Sequence, residues 1–380
     1  MKLVMFYHSL ISDWNHGNAH FLRGVVSELL ARGHDVQVFE PVDAWSTTNL
    51  IADHGTAAIA AFHAAYPELR SVRYGHELDL DVALDGADAV IVHEWNDPAL
   101  VARIGHHRAA GGRYALLFHD THHRSVTAPQ EIERYDLAHY QGVLAFGGVI
   151  RDLYVQRSWA RRAWTWHEAA DIRRFGPRSG PTRDGGLVWI GNWGDGERST
   201  ELREMLIEPA RALRLRMHVY GVRYPDDARA ALSAAGIHYA GWLANFQVPG
   251  VFARHAVTVH VPRRPYVAAL PGIPTIRMFE ALACGIPLIS APWRDDEQLF
   301  TAGSDYLVAA DGDAMRRLLR AVLHDVELAG SLARHGREAI LARHTCRHRV
   351  DELLAILEEL GVDAAPRISL PTKESACHHD

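Results

Sequence analysis

Short runs rich in Val, Ile, Leu and aromatic residues alternate with stretches of helical length along the whole chain, and the alternation breaks once and restarts. Few folds tolerate that pattern: strands separated by helices pair in parallel, and the helices cover both sheet faces. In the first half Leu3–Tyr7, Val36–Phe39, Ala89–Val92, Tyr114–Phe118, Gly142–Phe146 and 163–167 read as strands, with helices at Ala19–Arg32 and 147–157. The second half offers strands Leu187–Ile190, Arg216–Tyr220, Ile237–Ala240, Val257–Val261 and Pro287–Ser290, with helices at 198–213, 226–235, 245–254 and 275–283. Between the halves, Arg173–Gly186 is dense in Gly, Pro, Arg and Ser and reads as a linker. Beyond residue 311 the chain reads as helices 312–324, 326–342 and 346–360. The expectation is an α/β protein of two doubly wound domains, 1–170 and 187–342, joined by 171–186 and followed by a flexible tail, 363–380. Ligands bind where the carboxyl edges of two such sheets face each other across a cleft.

Composition narrows the class. Of 380 residues 48% are hydrophobic and 23% charged, which excludes disorder for the bulk of the chain. No apolar run approaches the ~18 residues of a membrane span, and Met1–Leu10 reads as a strand rather than a secretory signal. Three cysteines (Cys284, Cys346, Cys377) are too few and scattered for a disulfide framework or a zinc site, which fits a cytoplasmic protein. A net charge of −6 argues against nucleic acid as a partner. Lys2 and Lys373 are the only lysines, so a phosphate held by a side-chain cation must be held by arginine.

The most informative segment is Leu270–Trp293. Between Arg264 and Arg294 its only charged residues are Arg277 and Glu280, three apart on a short, mostly apolar helix that opens after Pro274 and stops at Gly285. Burying both charges is costly unless each is paired or ligand-bound. Two readings stand: a structural Arg277–Glu280 pair, or a carboxylate that accepts hydrogen bonds from vicinal sugar hydroxyls. In the second, backbone N–H groups near Gly272, Ile273 and Thr275 face a pyrophosphate at the helix N-terminus.

The run Arg277-Met-Phe-Glu-Ala-Leu-Ala-Cys-Gly-Ile-Pro-Leu-Ile-Ser290 resembles the nucleotide-sugar motif of GT-B glycosyltransferases, closest to the family-4-type and CgeB-like (spore-maturation) groups. Gly17–Gly24 with Leu30–Val36, Glu168–Pro177 and His344–Arg349 resemble further stretches of those groups in the same order. The resemblance implies two Rossmann-like domains, an acceptor-binding N-terminal one and a nucleotide-sugar-binding C-terminal one. It also implies that a C-terminal helix, about 345–362, crosses back to the N-terminal domain. Glu280 would bind the donor ribose, with anomeric configuration retained and neither metal nor cofactor required. Family-4 enzymes usually carry another Glu eight positions before the ribose-binding one. Here Gly272 stands there, which leaves the choice of sugar open.

Other clusters fall at strand ends. His119-Asp120 begins the stretch His119-Asp-Thr-His-His-Arg124 and matches the family-4 position where a His lies beside sugar and acceptor, so His119 and Asp120 are the expected catalytic pair. A solvated loop is the plainer reading for His122 and His123, and no zinc-hydrolase spacing is present. The first loop, with His16, Gly17 and Asn18, is expected to line the cleft, and Glu94 after the third strand to contact acceptor. Asn192 and Arg198 in the Gly191–Arg198 loop, together with Arg263, are expected diphosphate contacts. Tyr220–Tyr224 and Gly241–Leu243 fall where such enzymes hold the base, with Trp242 read either as a stacking partner or as packing. Arg151–Arg174, with Trp159, Trp164 and Trp166, leaves a peripheral membrane contact as one reading and packing at the domain edge as the simpler one.

The resulting expectation is sugar transfer from a UDP- or GDP-sugar to an acceptor hydroxyl on a glycan, a lipid-linked molecule or a small molecule. The rivals are a nucleotide-sugar epimerase of the same fold and a catalytically inactive nucleotide-sugar-binding partner. A dinucleotide oxidoreductase fits worst, because no Gly-x-Gly-x-x-Gly follows the first strand.

Overall fold

The computed structural model describes residues 1–178 and 185–365; linker residues 179–184 and tail residues 366–380 lie outside the described residues. The first sheet has seven parallel strands in the order β3-β2-β1-β4-β5-β6-β7. They are β1 (Lys2–Phe6), β2 (Asp35–Pro41), β3 (Ser71–Tyr74), β4 (Ala89–His93), β5 (Ala115–Asp120), β6 (Gly142–Ala145) and β7 (Ala163–Thr165). The second has six, in the order β10-β9-β8-β11-β12-β13. These are β8 (Gly185–Ile190), β9 (Met217–Tyr220), β10 (His238–Tyr239), β11 (His255–His260), β12 (Leu288–Ser290) and β13 (Leu307–Val308). Strands β1, β4, β5 and β6 are almost wholly buried because helices cover both faces, which is why they read as continuous apolar runs. In each sheet the strand order reverses direction beside the first strand, and the two reversal points face each other across the cleft.

Several elements escape the apolar pattern. Strand β3 is a half-exposed edge strand without an apolar run, so Ala89–His93 is the fourth strand and not the third. Helices Trp45–His54, Ala57–Ala65 and Pro98–Ala109 are additional. The expected helix 198–213 is interrupted by a π-helical turn, Arg203–Ile207, just before Pro209. Proline supplies no N–H to the helical ladder, and a widened turn accommodates the gap.

The last helix, Cys346–Glu359, crosses back onto the N-terminal domain. It packs on helix Asn18–Ala31 so closely that a Cβ on Gly24 would lie 2.4 Å from Cys346 Sγ. Arg32 Nη1 donates to Asp351 Oδ1 at 2.6 Å, and Trp166 Nε1 to the Arg349 carbonyl at 2.8 Å. Trp164 Nε1 donates to Glu359 Oε2, and Trp159 packs edge-on against Tyr154. Packing at the domain edge thus takes up the tryptophans of the 151–174 stretch. Among the described residues no helix is long and apolar enough to cross a membrane.

Candidate active site

A cavity of about 1110 Å³ lies between the two sheet edges. Its C-terminal wall is built from the loop after β8 (Gly191 to Arg198), the segment after β11 (His260, Arg263, Tyr266) and the start of helix Ile276–Cys284 (Pro274 to Arg277). Its N-terminal wall comes from the first loop (His8, Asn15 to Asn18), the ends of β2 and β4, and Thr121 to His123 after β5.

Four arginines line the C-terminal wall, of which Arg223 pairs with Asp195 at 2.9 Å. Arg263 pairs with Glu197 at 3.1 Å, and Arg277 pairs with Glu280. Arg198 is 8% exposed and forms no ion pair among the described residues. Its Nη1 and Nη2 donate to the carbonyls of Val261 (2.9 Å) and Asn192 (2.6 Å), its Nε has no partner, and it lies over the Trp189 ring. Burial, and then the charge of Arg263, pull its guanidinium down to about 10. A buried cation held by two carbonyls but no carboxylate is a site waiting for an anion. The helix Ile276–Cys284 supports this, since no side chain caps its N-terminus and its first two residues line the cavity. Beside Arg198, His260 presents an unpartnered Nε2, and burial with the nearby guanidinium lowers it to about 3, so it is neutral.

Glu280 is fully buried and does not line the cavity. Its Oε1 accepts from Asn245 Nδ2 at 2.6 Å and faces His20 Nδ1 at 3.3 Å, while Oε2 accepts from Arg277 Nη1. The within-helix pair left open by the sequence is therefore present, with two further partners that no local motif announces. Thr275 and Arg277 line the cavity; Gly272 and Ile273 do not. Gly272 has φ +86°, and a Cβ there would meet Glu297 Cγ at 2.6 Å, so Glu297 occupies the space a side chain at 272 would need. Glu297 itself is turned to the Gly148 N–H and His167 Nε2.

The structure does not bring His119 and Asp120 into the cavity wall. Both are buried beneath it: His119 Nδ1 is 2.7 Å from Tyr7 Oη, its ring meets Trp166, and burial pushes it down to about 3. Asp120 does not orient His119. It accepts from the His122 N–H (3.0 Å) and Tyr154 Oη (2.9 Å), and burial with Glu94 nearby raises it well above the usual carboxylate range. Glu94, also off the cavity, accepts from Thr121 N and Arg124 Nη2. With helices on both faces of the sheet, alternation along β5 carries no direction, so the histidine after Phe118 points inward where the loop histidines do not. His122 and His123 are the pair that lines the cavity, with rings 4.0 Å apart; His122 Nδ1 has no hydrogen-bond partner, and His123 Nε2 faces Glu197 Oε1 at 3.8 Å. Among the described residues no group of three or more His, Cys, Asp or Glu is arranged to hold a metal ion.

His16, Gly17 and Asn18 line the cavity, and both side-chain polar atoms of buried Asn18 are unpartnered. The same loop touches the other domain. Asn192 Nδ2 donates to Asn15, and Asp13 accepts from Trp242 Nε1 at 3.0 Å and Asn245 N at 3.0 Å. Trp242 is thus an interdomain contact, stacked near His54, and not part of the cavity wall. Glu168, just after β7, lines the cavity and is a residue sequence reasoning passed over, because its placement depends on how the two domains meet.

Residues 198–355 match the family model described as glycosyl transferase-like. No curated protein matches the sequence. Sucrose-phosphate synthase from Thermosynechococcus elongatus superposes on 95% of this chain and 99% of its own with a TM-score of 0.65 at 13% identity. HepE of Anabaena, solved in complex with UDP and glucose, covers 94% of this chain and 99% of its own with a TM-score of 0.67 at 12% identity. An E. coli trehalose-6-phosphate protein bound with UDP-2-fluoro glucose covers 94% and 99% with a TM-score of 0.59 at 13% identity. The chain has the GT-B fold of these solved structures, and the part of it that matches the glycosyl transferase-like model lies in its C-terminal half.

Proposed function

We propose that this protein transfers a sugar from a nucleoside-diphosphate-sugar, UDP-linked in the first instance, to an acceptor hydroxyl, and that it stands nearest the CgeB-like group. The observation that carries the reading is Arg198, a buried guanidinium on the cavity wall with no carboxylate partner, beside the uncapped helix N-terminus. Together with Arg263 and Arg277 it supplies the charge that a diphosphate leaving group needs, so the proposal requires no metal ion. The similarity to HepE and the E. coli protein, both solved with uridine nucleotides, supports UDP as that nucleotide.

In this reading the diphosphate draws Arg277 toward the cavity, and a ribose hydroxyl takes its place on Glu280 Oε2. The acceptor lies against the N-terminal wall, where the neutral imidazoles of His122 and His123 hydrogen-bond it. Asp120 works one layer back, through the His122 backbone. The bond from C1 to the phosphate oxygen breaks as the acceptor oxygen approaches the same face. The departing phosphate takes the acceptor's proton, and configuration is retained. NMR of the product anomer tests that step; an inverted product removes it.

Thermal shift with UDP, UDP-glucose and GDP tests the donor site, because a ligand that binds only the native state raises the midpoint. Wild type is expected to be stabilised by at least one nucleoside diphosphate, and Arg198→Ala to lose about tenfold or more in affinity, as a charge-assisted contact is worth ~1.5–3 kcal/mol. The donor-site proposal fails if no nucleotide stabilises the wild type or if Arg198→Ala binds as well as wild type.

A further inference from the structure

Glu168 lies in the short segment between β7 and the linker, where the chain passes from one domain to the other, and its side chain lines the cavity. It is only 9% exposed, yet it forms no hydrogen bond and no ion pair with any described residue. Each other buried carboxylate near the cleft has a partner: Glu280 has Arg277 and Asn245, Glu94 has Arg124, and Asp120 has Tyr154. A carboxyl that lines the cavity and takes no partner from the fold leaves its hydrogen bonds to whatever fills the cavity, and a ligand group of matching polarity completes them.

The charged and titratable groups facing it come from two elements. Arg277 and Glu280 stand on helix Ile276–Cys284, and Tyr266, whose ring edge meets His123, stands on the short helix Arg264–Ala269. Burial, and then the negative charge of Glu280, raise Glu168 to about 8, with Arg277 opposing. At neutral pH the group therefore carries its proton. It is both a donor and an acceptor, and it puts no negative charge beside a bound diphosphate. A carboxylic acid in that state matches a hydroxyl group, which also donates and accepts, and gains nothing from an apolar surface.

On the reading that the arginine wall binds the donor diphosphate, we infer that Glu168 holds a hydroxyl of the transferred sugar and so contributes to the choice of that sugar. The position agrees with this, because Glu168 lines the same cavity as Arg198, Arg263 and Arg277 and feels the charge of Arg277.

The test is isothermal titration of wild type, Glu168→Ala and Glu168→Gln with UDP, UDP-glucose, UDP-galactose, UDP-N-acetylglucosamine, GDP and GDP-mannose. Wild type is expected to bind one sugar nucleotide more tightly than its parent diphosphate. Glu168→Ala should keep the diphosphate affinity within about threefold and lose about tenfold of the advantage conferred by the sugar. Glu168→Gln, which keeps a neutral donor and acceptor, should retain most of it. Raising the pH past about 8 places a charge beside the diphosphate in the wild type, so donor affinity should fall there but stay level in Glu168→Gln. If neither UDP nor GDP binds the wild type, the donor reading fails first. If they bind while no sugar nucleotide gains over its diphosphate, or Glu168→Ala keeps the full gain, the assignment of Glu168 is overturned.

Discussion

His20 Nδ1 lies 3.3 Å from Glu280 Oε1, and the two residues belong to opposite domains. His20 Nε2 accepts from the Asp171 N–H at 2.9 Å, which puts the ring proton on Nδ1 and aims it at the carboxylate. One imidazole therefore connects the first helix, the interdomain segment and helix Ile276–Cys284. Replacing His20 by Ala leaves the buried Glu280 with one donor fewer and opens a void against Phe175, so stability should fall by about 2 kcal/mol. Equilibrium denaturation measures this; a change under about 0.5 kcal/mol contradicts the coupling.

Gly17 is expected to control how closely the domains approach. A Cβ there would sit 2.9 Å from Ile276 Cγ2, at the N-terminus of helix Ile276–Cys284. Its φ of −69° suits any residue, so the constraint is space across the cleft and not backbone conformation. Gly17→Ala should weaken nucleotide binding a few-fold and Gly17→Val by about tenfold or more, each with little change in denaturation midpoint, since only the meeting of the two walls is disturbed. Equal nucleotide affinity in Gly17→Val and wild type would mean that the contact does not govern closure.

The C-terminal cavity wall was largely readable from the sequence, because it depends on local pattern: a loop after β8, a segment after β11 and a helix opening after Pro274 each bring an arginine to the cavity. The N-terminal wall was less so. Asp120 and His119 were expected in the cleft, yet in a strand buried on both faces the residue that turns outward is decided by packing against Trp166 and Tyr7, which are remote in sequence. Edge strand β3 has no apolar run to mark it, and Glu168 acquires its environment only when the second domain brings Glu280 and Arg277 against it.

Asp120 is expected to act as a support for the loop that carries His122 and His123. Asp120→Ala removes the acceptor of both the His122 N–H and Tyr154 Oη inside the core, a loss of about 2–4 kcal/mol. Asp120→Asn keeps the shape and an accepting oxygen, and should cost less than half as much. Turnover, once an acceptor is known, should follow the same order, with Asp120→Ala lowest and donor affinity nearly unchanged in both. A drop in Asp120→Asn as large as that in Asp120→Ala would indicate that the carboxyl group takes part directly.

Acid sensitivity should follow from the buried neutral histidines, of which His119 is the clearest. Burial holds it down to about 3, against about 6.5 in an unfolded chain. The folded state thus binds fewer protons than the unfolded one across that interval. The stability contributed by neutral His119 is fully present above about pH 6.5 and is lost as pH falls toward 3, at up to about 1.4 kcal/mol per pH unit. Buried carboxyls with raised pKa, such as Asp120, work in the opposite sense, so the net slope of the wild type does not isolate the histidine. His119→Gln does: it removes the titration while offering Tyr7 a hydrogen-bond partner of similar reach. Denaturation at pH 7.5, 6 and 5 should show the wild type losing stability on acidification faster than His119→Gln. The gap between them should therefore be widest at pH 7.5, and parallel curves would show that His119 takes up its proton at the same pH in the native state as in the unfolded chain.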